Sequence, residues 1–329
     1  MIPLSVLDLV PIREGSGVPE ALAHAARYAQ VAEAAGYKRF WVAEHHATEG
    51  VAGGAAAVVL AHIGNATNTI RIGSGGIMLP NHNPFVIAEQ FGTLDALFPG
   101  RVDLGLGRAP GAGGRIAQAL RKDLMQAAEA FPQDVVELRA LLTGDLELPI
   151  KATPGYGANV ELWMLGSSLF GAQLAAHLGL PYAFASHFAP DHLDEALALY
   201  RRNFRPSPTL EHPYAMAAMT VIASETDADA ELLASSQDQS FVRLRSGDPG
   251  KLPPPVPGYR ATLPAPALAM LEHMGSARAV GSPQTVREGI MRFAERTQAD
   301  EIIVSGATYD PDARCHSLEL AMEALAGQV

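Results

Sequence analysis

The chain is nearly free of cysteine. Cys315 is the only one in 329 residues, so no internal disulfide can form. Positive charge is also scarce: 24 Lys and Arg face 35 Asp and Glu, a formal charge of -11. That balance argues against nucleic acid or an anionic membrane as the main partner, since both need a basic face. Any phosphate must therefore be met locally. Long apolar runs are missing too. No stretch approaches the roughly 18 residues of a membrane helix, and MIPLSVLDLVPIREG places no charged region before a long apolar run. A cytoplasmic protein is expected. What is present, 48% hydrophobic and 18% charged residues, is the composition of a globular enzyme able to bury a sizeable core.

The segment LSVLDLV (4–10) reads as a strand and PEALAHAARYAQVAEAAG (19–36) as a helix, with Pro19 in its first turn and Gly36 at its end. The unit recurs. Strands are expected at 39–43, 70–79, 101–107, 160–165, 182–186, 214–223 and 301–306, each followed by helical sequence, with the stretch after 107 interrupted by Pro132. Eight strands rich in Val, Ile, Ala and Gly, alternating with amphipathic helices, predict a parallel sheet closed into a (β/α)8 TIM barrel. An open doubly wound sheet is the alternative. One domain over 1–329 is expected. The segment 224–280, carrying KLPPPVPGY (251–259), departs from the repeat. A lid is expected there, because it leaves the carboxyl end of a strand, where barrel enzymes place their sites. Helix AAAVVLAHIGN (55–65) is apolar almost all round, which predicts a homodimer through the second and third helices.

Residues able to carry chemistry cluster at expected strand ends. WVAEHHATEG (41–50) puts Glu44, His45 and His46 at the end of the second strand. Side chains alternate along a strand, so His45 and His46 should diverge and not share one ion. No further His, Cys or Asp cluster at a strand end completes a ligand set, and no metal is expected. Hydrogen-bonded rim residues are the bland alternative. GSGGIMLPNHNP (73–84) carries Gly73, Gly75 and Gly76 inside a strand, which marks either a bulge or close ligand approach, or small residues in a crowded lumen. In DLGLGRAPGAGGR (103–115) the third glycine of a dinucleotide fingerprint is replaced by Pro110, so that motif fails. Arg108 can instead present a cationic fork to a phosphate. Gly166, Ser167 and Ser168 stand at the start of a helix, where free amides favour an anion, although a serine there can be only a cap. Neighbouring fourth and fifth strands would bring Arg108 and the serines to one phosphate.

At these residues the sequence resembles the bacterial luciferase-like family of flavin-dependent oxidoreductases. The likeness spans nearly the whole chain: AEHH, GSGGIMLPNHNP, EQFGTLDALFPGRVDLGLGRAPG (89–111), LGSS and ADEIIVSGATYD (299–310). The run from Glu89 to Gly111 is its most specific part. The resemblance implies a (β/α)8 barrel binding FMN or a deazaflavin. It implies reduced FMN delivered by a separate flavin reductase, with O2 and a small-molecule substrate. The histidine matching His45 serves proton transfer beside Glu44. The arginine matching Arg108 and the serine matching Ser167 hold the phosphate. Residues matching Gly75 and Gly76 are joined by a non-prolyl cis peptide beneath the flavin. Ser74, Gly75, Gly76, Gly107, Arg108, Ala109, Gly166, Ser167 and Ser168 form the expected cofactor-binding set. The chain departs from luciferase itself: Gly107 stands for a reactive cysteine, Gly166 for an acidic residue, and no threonine hydroxyl lies near Phe170. Light emission is not expected. A deazaflavin-dependent dehydrogenase and a flavin-binding protein without turnover remain as alternatives, and retention of Glu44 with His45 argues against the second.

Overall fold

Eight parallel strands close on themselves in the computed structural model, which describes residues 2–109, 118–120, 123–144 and 150–327. They are β1 (Leu4–Asp8), β2 (Arg39–Val42), β3 (Arg71–Met78), β4 (Val102–Gly107), β5 (Glu161–Gly166), β6 (Tyr182–Phe184), β7 (Ala215–Ala223) and β9 (Glu301–Ser305). A short strand, β8 (Arg278–Gly281), pairs with the carboxyl half of β7. Closure is made twice over: β6 pairs with β7 through Tyr182 and Ala215, and β9 lies between β7 and β1, with Leu4 opposite Ile302. The eight ring strands are those expected, and the sheet is a TIM barrel rather than an open doubly wound sheet.

Helices follow the strands: α1 (Val18–Ala35), α2 (Ala56–Ala66), α3 (Pro84–Leu97), α4 (Leu124–Thr143), α5 (Leu169–Leu178), α6 (Leu193–Asn203), α7 (Asp227–Arg245), α8 (Ala265–Met274), α9 (Pro283–Thr297) and α10 (Pro311–Ala326). Their ends follow local chemistry. Pro19 sits in the first turn of α1, and Gly36 ends it with φ 89°, a left-handed conformation glycine adopts at little cost. Asn83 caps α3 by accepting the Phe85 amide, and Asp310 caps α10 by accepting that of Ala313.

Two departures from expectation stand out. Pro132 does not interrupt the helix it lies in: α4 runs through it from Leu124 to Thr143. The missing amide leaves only the Ala128 carbonyl without its helical partner, and Ala128 borders a large cavity. The segment 224–280 is not one long connection, since it holds α7, α8 and the start of β8. Residues 249–252 within it are bound to the barrel rim, where the Leu252 amide donates to Ile12 O at 2.8 Å and the Glu14 amide to Leu252 O at 2.8 Å.

Alternation along the strands sorts the core into two parts. Outward residues such as Val6, Phe40, Ile72 and Leu104 pack under the helices, while Leu7, Trp41, Trp163, Met216 and Ile303 fill the lumen. At the amino end of the lumen, buried Arg39 is paired with Asp103 at 2.9 Å, Glu161 at 3.1 Å and Glu301 at 3.2 Å. Removing one member of such a buried set typically costs about 3–5 kcal/mol. The next layer is apolar, with Trp41 against Trp163 edge to face, centroids 5.2 Å apart. A Cβ on Gly73 would come within 2.8 Å of the Trp41 indole nitrogen and 2.6 Å of Asp103 Cβ, so the crowded lumen is the reason for that glycine. The top layer, at the carboxyl end, is where the floor of the site begins.

Candidate active site

Arg39, Trp41 and Ala43 of the β2 segment face the lumen, and the same alternation carried past the strand end turns His45 inward and Glu44 and His46 aside. His45 lines the cavity. Glu44 is buried, borders the same cavity and meets β3: its Oε2 accepts the Met78 amide at 3.0 Å, and its Oε1 accepts from His82 Nε2 at 2.6 Å and from His46 Nε2. Burial opposes ionisation of Glu44, but the hydrogen bond and charge of His82, the Met78 amide and the charge of His46 outweigh it, and its pKa falls below the ordinary value. The carboxylate is thus an acceptor for two imidazole N–H groups. Sequence reasoning missed this cluster because it weighed only the two adjacent histidines, and the third comes from the end of the neighbouring strand. Glu44, His46 and His82 are the only three metal-capable groups brought together among the described residues. Both nitrogens, however, converge on one carboxylate oxygen at hydrogen-bond distance. Ligands about 2.1 Å from a tetrahedral ion stand about 3.4 Å apart, so the arrangement is that of donors on a shared acceptor.

His45 takes no part in that cluster. Its Nδ1 is shielded from solvent and has no hydrogen-bond partner among the described residues. Burial lowers its pKa, with Glu44 acting to raise it and His46 to lower it. A ring held neutral with a free nitrogen can take or give a proton.

The cavity beside His45 has a volume of about 1300 Å³. Its floor includes Ala43, Gly75, Gly76, Gly107, Leu165 and Ala185 at the ends of successive strands, and α4 forms one wall with Asp123, Met125 and Phe131. The Gly75–Gly76 peptide is cis, and the β3–β4 register shifts between Ser74 and Ile77. A Cβ on Gly76 would meet the Gly105 carbonyl at 2.7 Å, so backbone packing demands that glycine, whereas one on Gly75 would meet only the end of the Leu7 side chain at 2.6 Å. Gly107 and Gly166 differ. A Cβ on either would meet no described atom closer than 3.7 Å, and both line the cavity, which leaves a cradle that a side chain would fill.

One end of the cavity gathers a cation, two serines and a helix start, groups able to meet an anion. Arg108 is exposed, makes no ion pair with the described residues, and lies over the Phe170 ring at 4.2 Å. Gly107 is opposite Leu165 in the sheet, which sets Arg108 beside Gly166, Ser167 and Ser168. Ser168 is the N-cap residue of α5, yet its hydroxyl makes no cap bond among the described residues, so the first-turn amides of the helix can turn to an anion. The donor set and the cradle suit the phosphate group of a flavin or deazaflavin cofactor. Of the expected cofactor set, Gly75, Gly76, Gly107, Arg108, Ala109, Gly166, Ser167 and Ser168 line this one cavity with Glu44 and His45. Ser74 does not. It is fully buried, and its hydroxyl donates to Gly105 O at 3.0 Å and accepts from Gly105 N at 3.1 Å, because alternation turns it away from the lumen. Pro110–Arg115 of the glycine-rich stretch lie outside the described residues.

A smaller chamber of about 360 Å³ adjoins the first, and Ala43, His45, Gly75 and Ala185 line both. Its walls are largely apolar, including Leu7, Leu9, Val51, Phe188, Phe241 and Leu252. His187, which follows β6, also lines it and was not singled out from sequence, although it stands on the same rim as His45.

Comparison with known proteins bears on this geometry. The family model described as luciferase-like monooxygenase matches residues 2–301. A luciferase-like monooxygenase of Escherichia coli K12 is 49% identical over 323 residues, covering 98% of this chain and 96% of that protein. An N-acetyl-S-alkylcysteine monooxygenase of Bacillus subtilis is 35% identical over 254 residues, 75% of each chain. The crystal structure of apo-MsnO8 superposes with a TM-score of 0.89 at 34% identity, covering 99% of both chains. The same fold is seen in an FMN complex of a type II Baeyer-Villiger monooxygenase from Pseudomonas putida, covering 100% of this chain and 99% of that one (TM-score 0.72, 17% identity). It is also seen in an F420-dependent secondary alcohol dehydrogenase, covering 98% of this chain and 99% of that one (TM-score 0.73, 15% identity).

Proposed function

Since this chain belongs to the luciferase-like monooxygenase family of flavin-dependent oxidoreductases, we propose that it is an FMN-dependent monooxygenase that takes reduced FMN from a separate reductase and oxidises a small organic molecule with O2. The observation that carries this reading is that His45 and Gly75 line both cavities, so that whatever occupies the larger one meets the smaller, apolar one at a group able to transfer a proton. Arg108, Ser167, Ser168 and the first amides of α5 would hold the phosphate, while Gly75, Gly76, Gly107, Ala109 and Gly166 leave room for the rest. Reduced FMN, when bound, supplies the electrons that activate oxygen. His45 gives or takes the proton through its imidazole ring, which lines both cavities. Glu44 locks the ends of β2 and β3 together and so fixes the loop that carries His45. The apolar walls of the smaller chamber keep bulk water from it, and residues 249–252 serve as its lid, fastened at Ile12 and Glu14.

Two partners complete the proposal. One is the reductase; the other is a second copy of the chain, docked through α2 and α3, where Val58, Val86 and Leu97 are exposed. No helix among the described residues is long and apolar enough to cross a membrane, and we place the protein in the cytoplasm.

The test is to offer the purified protein photoreduced FMN or a reduced deazaflavin without oxygen, then to admit O2 and follow the absorbance. Tight binding of reduced FMN and substrate-dependent O2 consumption are expected. His45→Ala should keep FMN affinity within a few-fold and slow turnover by about a hundredfold, the usual scale of acid-base catalysis. Preference for the deazaflavin, or a variant with parental turnover, refutes the assignment. Binding with no turnover on any substrate makes the protein a flavin carrier.

A further inference from the structure

The amino-terminal mouth of the barrel, at the other end of the lumen from His45, holds a cavity that the proposed reaction does not use. Its volume is about 490 Å³, inside the range of about 300–1,000 Å³ that ligand sites span. Its charged and polar lining comes from Lys38 and Arg39 at the start of β2, Arg71 at the start of β3, Glu161 at the start of β5, Tyr214 just before β7, and Arg139 on α4. None of its lining residues borders either cavity at the carboxyl end.

In a chain of charge -11 this mouth is cationic. Lys38, Arg39 and Arg71 are balanced by Glu301, Asp103 and Glu161: Lys38 Nζ lies 3.1 Å from Glu301, Arg39 meets all three carboxylates, and Arg71 pairs with Asp103 and Glu161. Arg139 is left over. It makes no ion pair among the described residues, and its one hydrogen bond runs from Nη1 to Leu178 O at 3.2 Å. A second sign comes from deeper in. Arg39 is buried, and its Nε and Nη1 are engaged by Glu301 and Asp103, but its Nη2 makes no hydrogen bond with the described residues. That nitrogen is not enclosed by protein, and it opens on the cavity that Arg39 lines. An N–H of a buried cation calls for an acceptor. Val160, Leu162, Leu180 and Leu210 make the rest of the wall apolar.

We propose that this mouth is a binding site for an organic monocarboxylate, whose carboxylate accepts from Arg39 Nη2 and from Arg139 and whose apolar body lies on Leu162, Leu180 and Leu210. The single surplus positive charge sets the charge of the ligand. A dianion would bring an unanswered negative charge beside Glu161, and a neutral molecule would leave Arg139 unmatched. A planar carboxylate also matches the fork of a guanidinium. Because the site is separate from the cavities at the carboxyl end, its ligand is an effector that binds alongside cofactor and substrate, and the proposal stands independently of the flavin reading.

The test is calorimetric titration of the full chain with benzoate and with its neutral counterpart benzamide. Benzoate should bind at one site per chain, about tenfold or more tighter than benzamide. Arg139→Gln, which gives up one hydrogen bond to Leu178 O, should weaken benzoate about tenfold, the lower range for a charge-assisted contact in a part-exposed place. Arg139→Lys, which keeps the charge, should recover part of that loss, and saturating FMN should leave benzoate affinity as it was. Benzoate that fails to bind, or binds no tighter than benzamide, overturns the proposal. So does an Arg139→Gln variant that binds benzoate like the parent, or displacement of benzoate by FMN, which would put the probe in the cavity at the carboxyl end.

Discussion

Replacing Arg108 with alanine tests the anion end of the larger cavity most directly. A hydrogen bond to a charged group contributes about 1.5–3 kcal/mol. Arg108 is exposed, so solvent screening holds its contribution to the lower part of that range. About 1.5 kcal/mol corresponds to roughly a tenfold rise in Kd. A second effect accompanies the first. The guanidinium covers Phe170 at 4.2 Å, a contact worth about 0.5–1 kcal/mol at an exposed site, and its loss loosens the start of α5 for any flavin. Riboflavin, which lacks the phosphate, separates the two. Titrating both ligands by fluorescence quenching, we expect Arg108→Ala to weaken riboflavin about threefold or less and FMN about tenfold beyond that, roughly thirtyfold in all. Equal weakening of both, or an unchanged FMN affinity, refutes a phosphate role for Arg108.

Two further predictions follow from burial. His24 and His187 are both lowered to about 4 from an ordinary 6.5, mainly by burial, so the unfolded chain takes up protons first and stability falls as pH drops from about 6.5 toward 4. Each contributes at most about 1.4 kcal/mol per pH unit, and exposed His316, raised chiefly by Glu225, acts weakly in the opposite sense. Urea midpoints should be lower at pH 5 than at pH 7, and an equal or higher midpoint at pH 5 refutes the assignment. For assembly, Val58 on α2 is 70% exposed, with Val86 at 44% and Leu97 at 57% on α3. Sedimentation at micromolar concentration should give a dimer for the parent and a monomer for Val58→Glu; a monomeric parent rules that interface out.

The barrel was legible because its eight ring strands are apolar runs punctuated by glycine and proline, and the cavity because its residues follow strand ends in order. What escaped has physical reasons. Helix α7 buries Ser235, Ser236, Gln237, Asp238 and Gln239, with Asp238 held by Arg260 at 2.8 Å and Arg278 at 3.0 Å. A helix buried all round by consecutive polar residues shows no apolar periodicity and reads as a loop. The brief β8, RAVG, gives too little pattern to register. Pro132 breaks a helix by rule, yet here costs one hydrogen bond at a cavity edge. The Glu44–His82 pairing depends on the β2–β3 register, and Ser74 on which face of β3 it occupies. Neither is set by residue type alone.

The strand pair that seals the ring joins Leu4 to Ile302, a separation of nearly the whole chain, and this has a consequence in time. Contacts so remote in sequence form late, after the entropy of closing a very long loop has been met. During synthesis β1 through β7 emerge before their closing neighbour exists, with the β1 edge unpaired and the lumen side of Leu7, Trp41 and Met216 open to solvent. An incomplete sheet of this kind is the species most exposed to association with other nascent chains. Arrival of β9 ends that exposure in one step and seats Glu301 against Arg39 at the base. Production of the protein should therefore depend on how quickly its last thirty residues follow the rest, in a way that the stability of the finished barrel does not reveal.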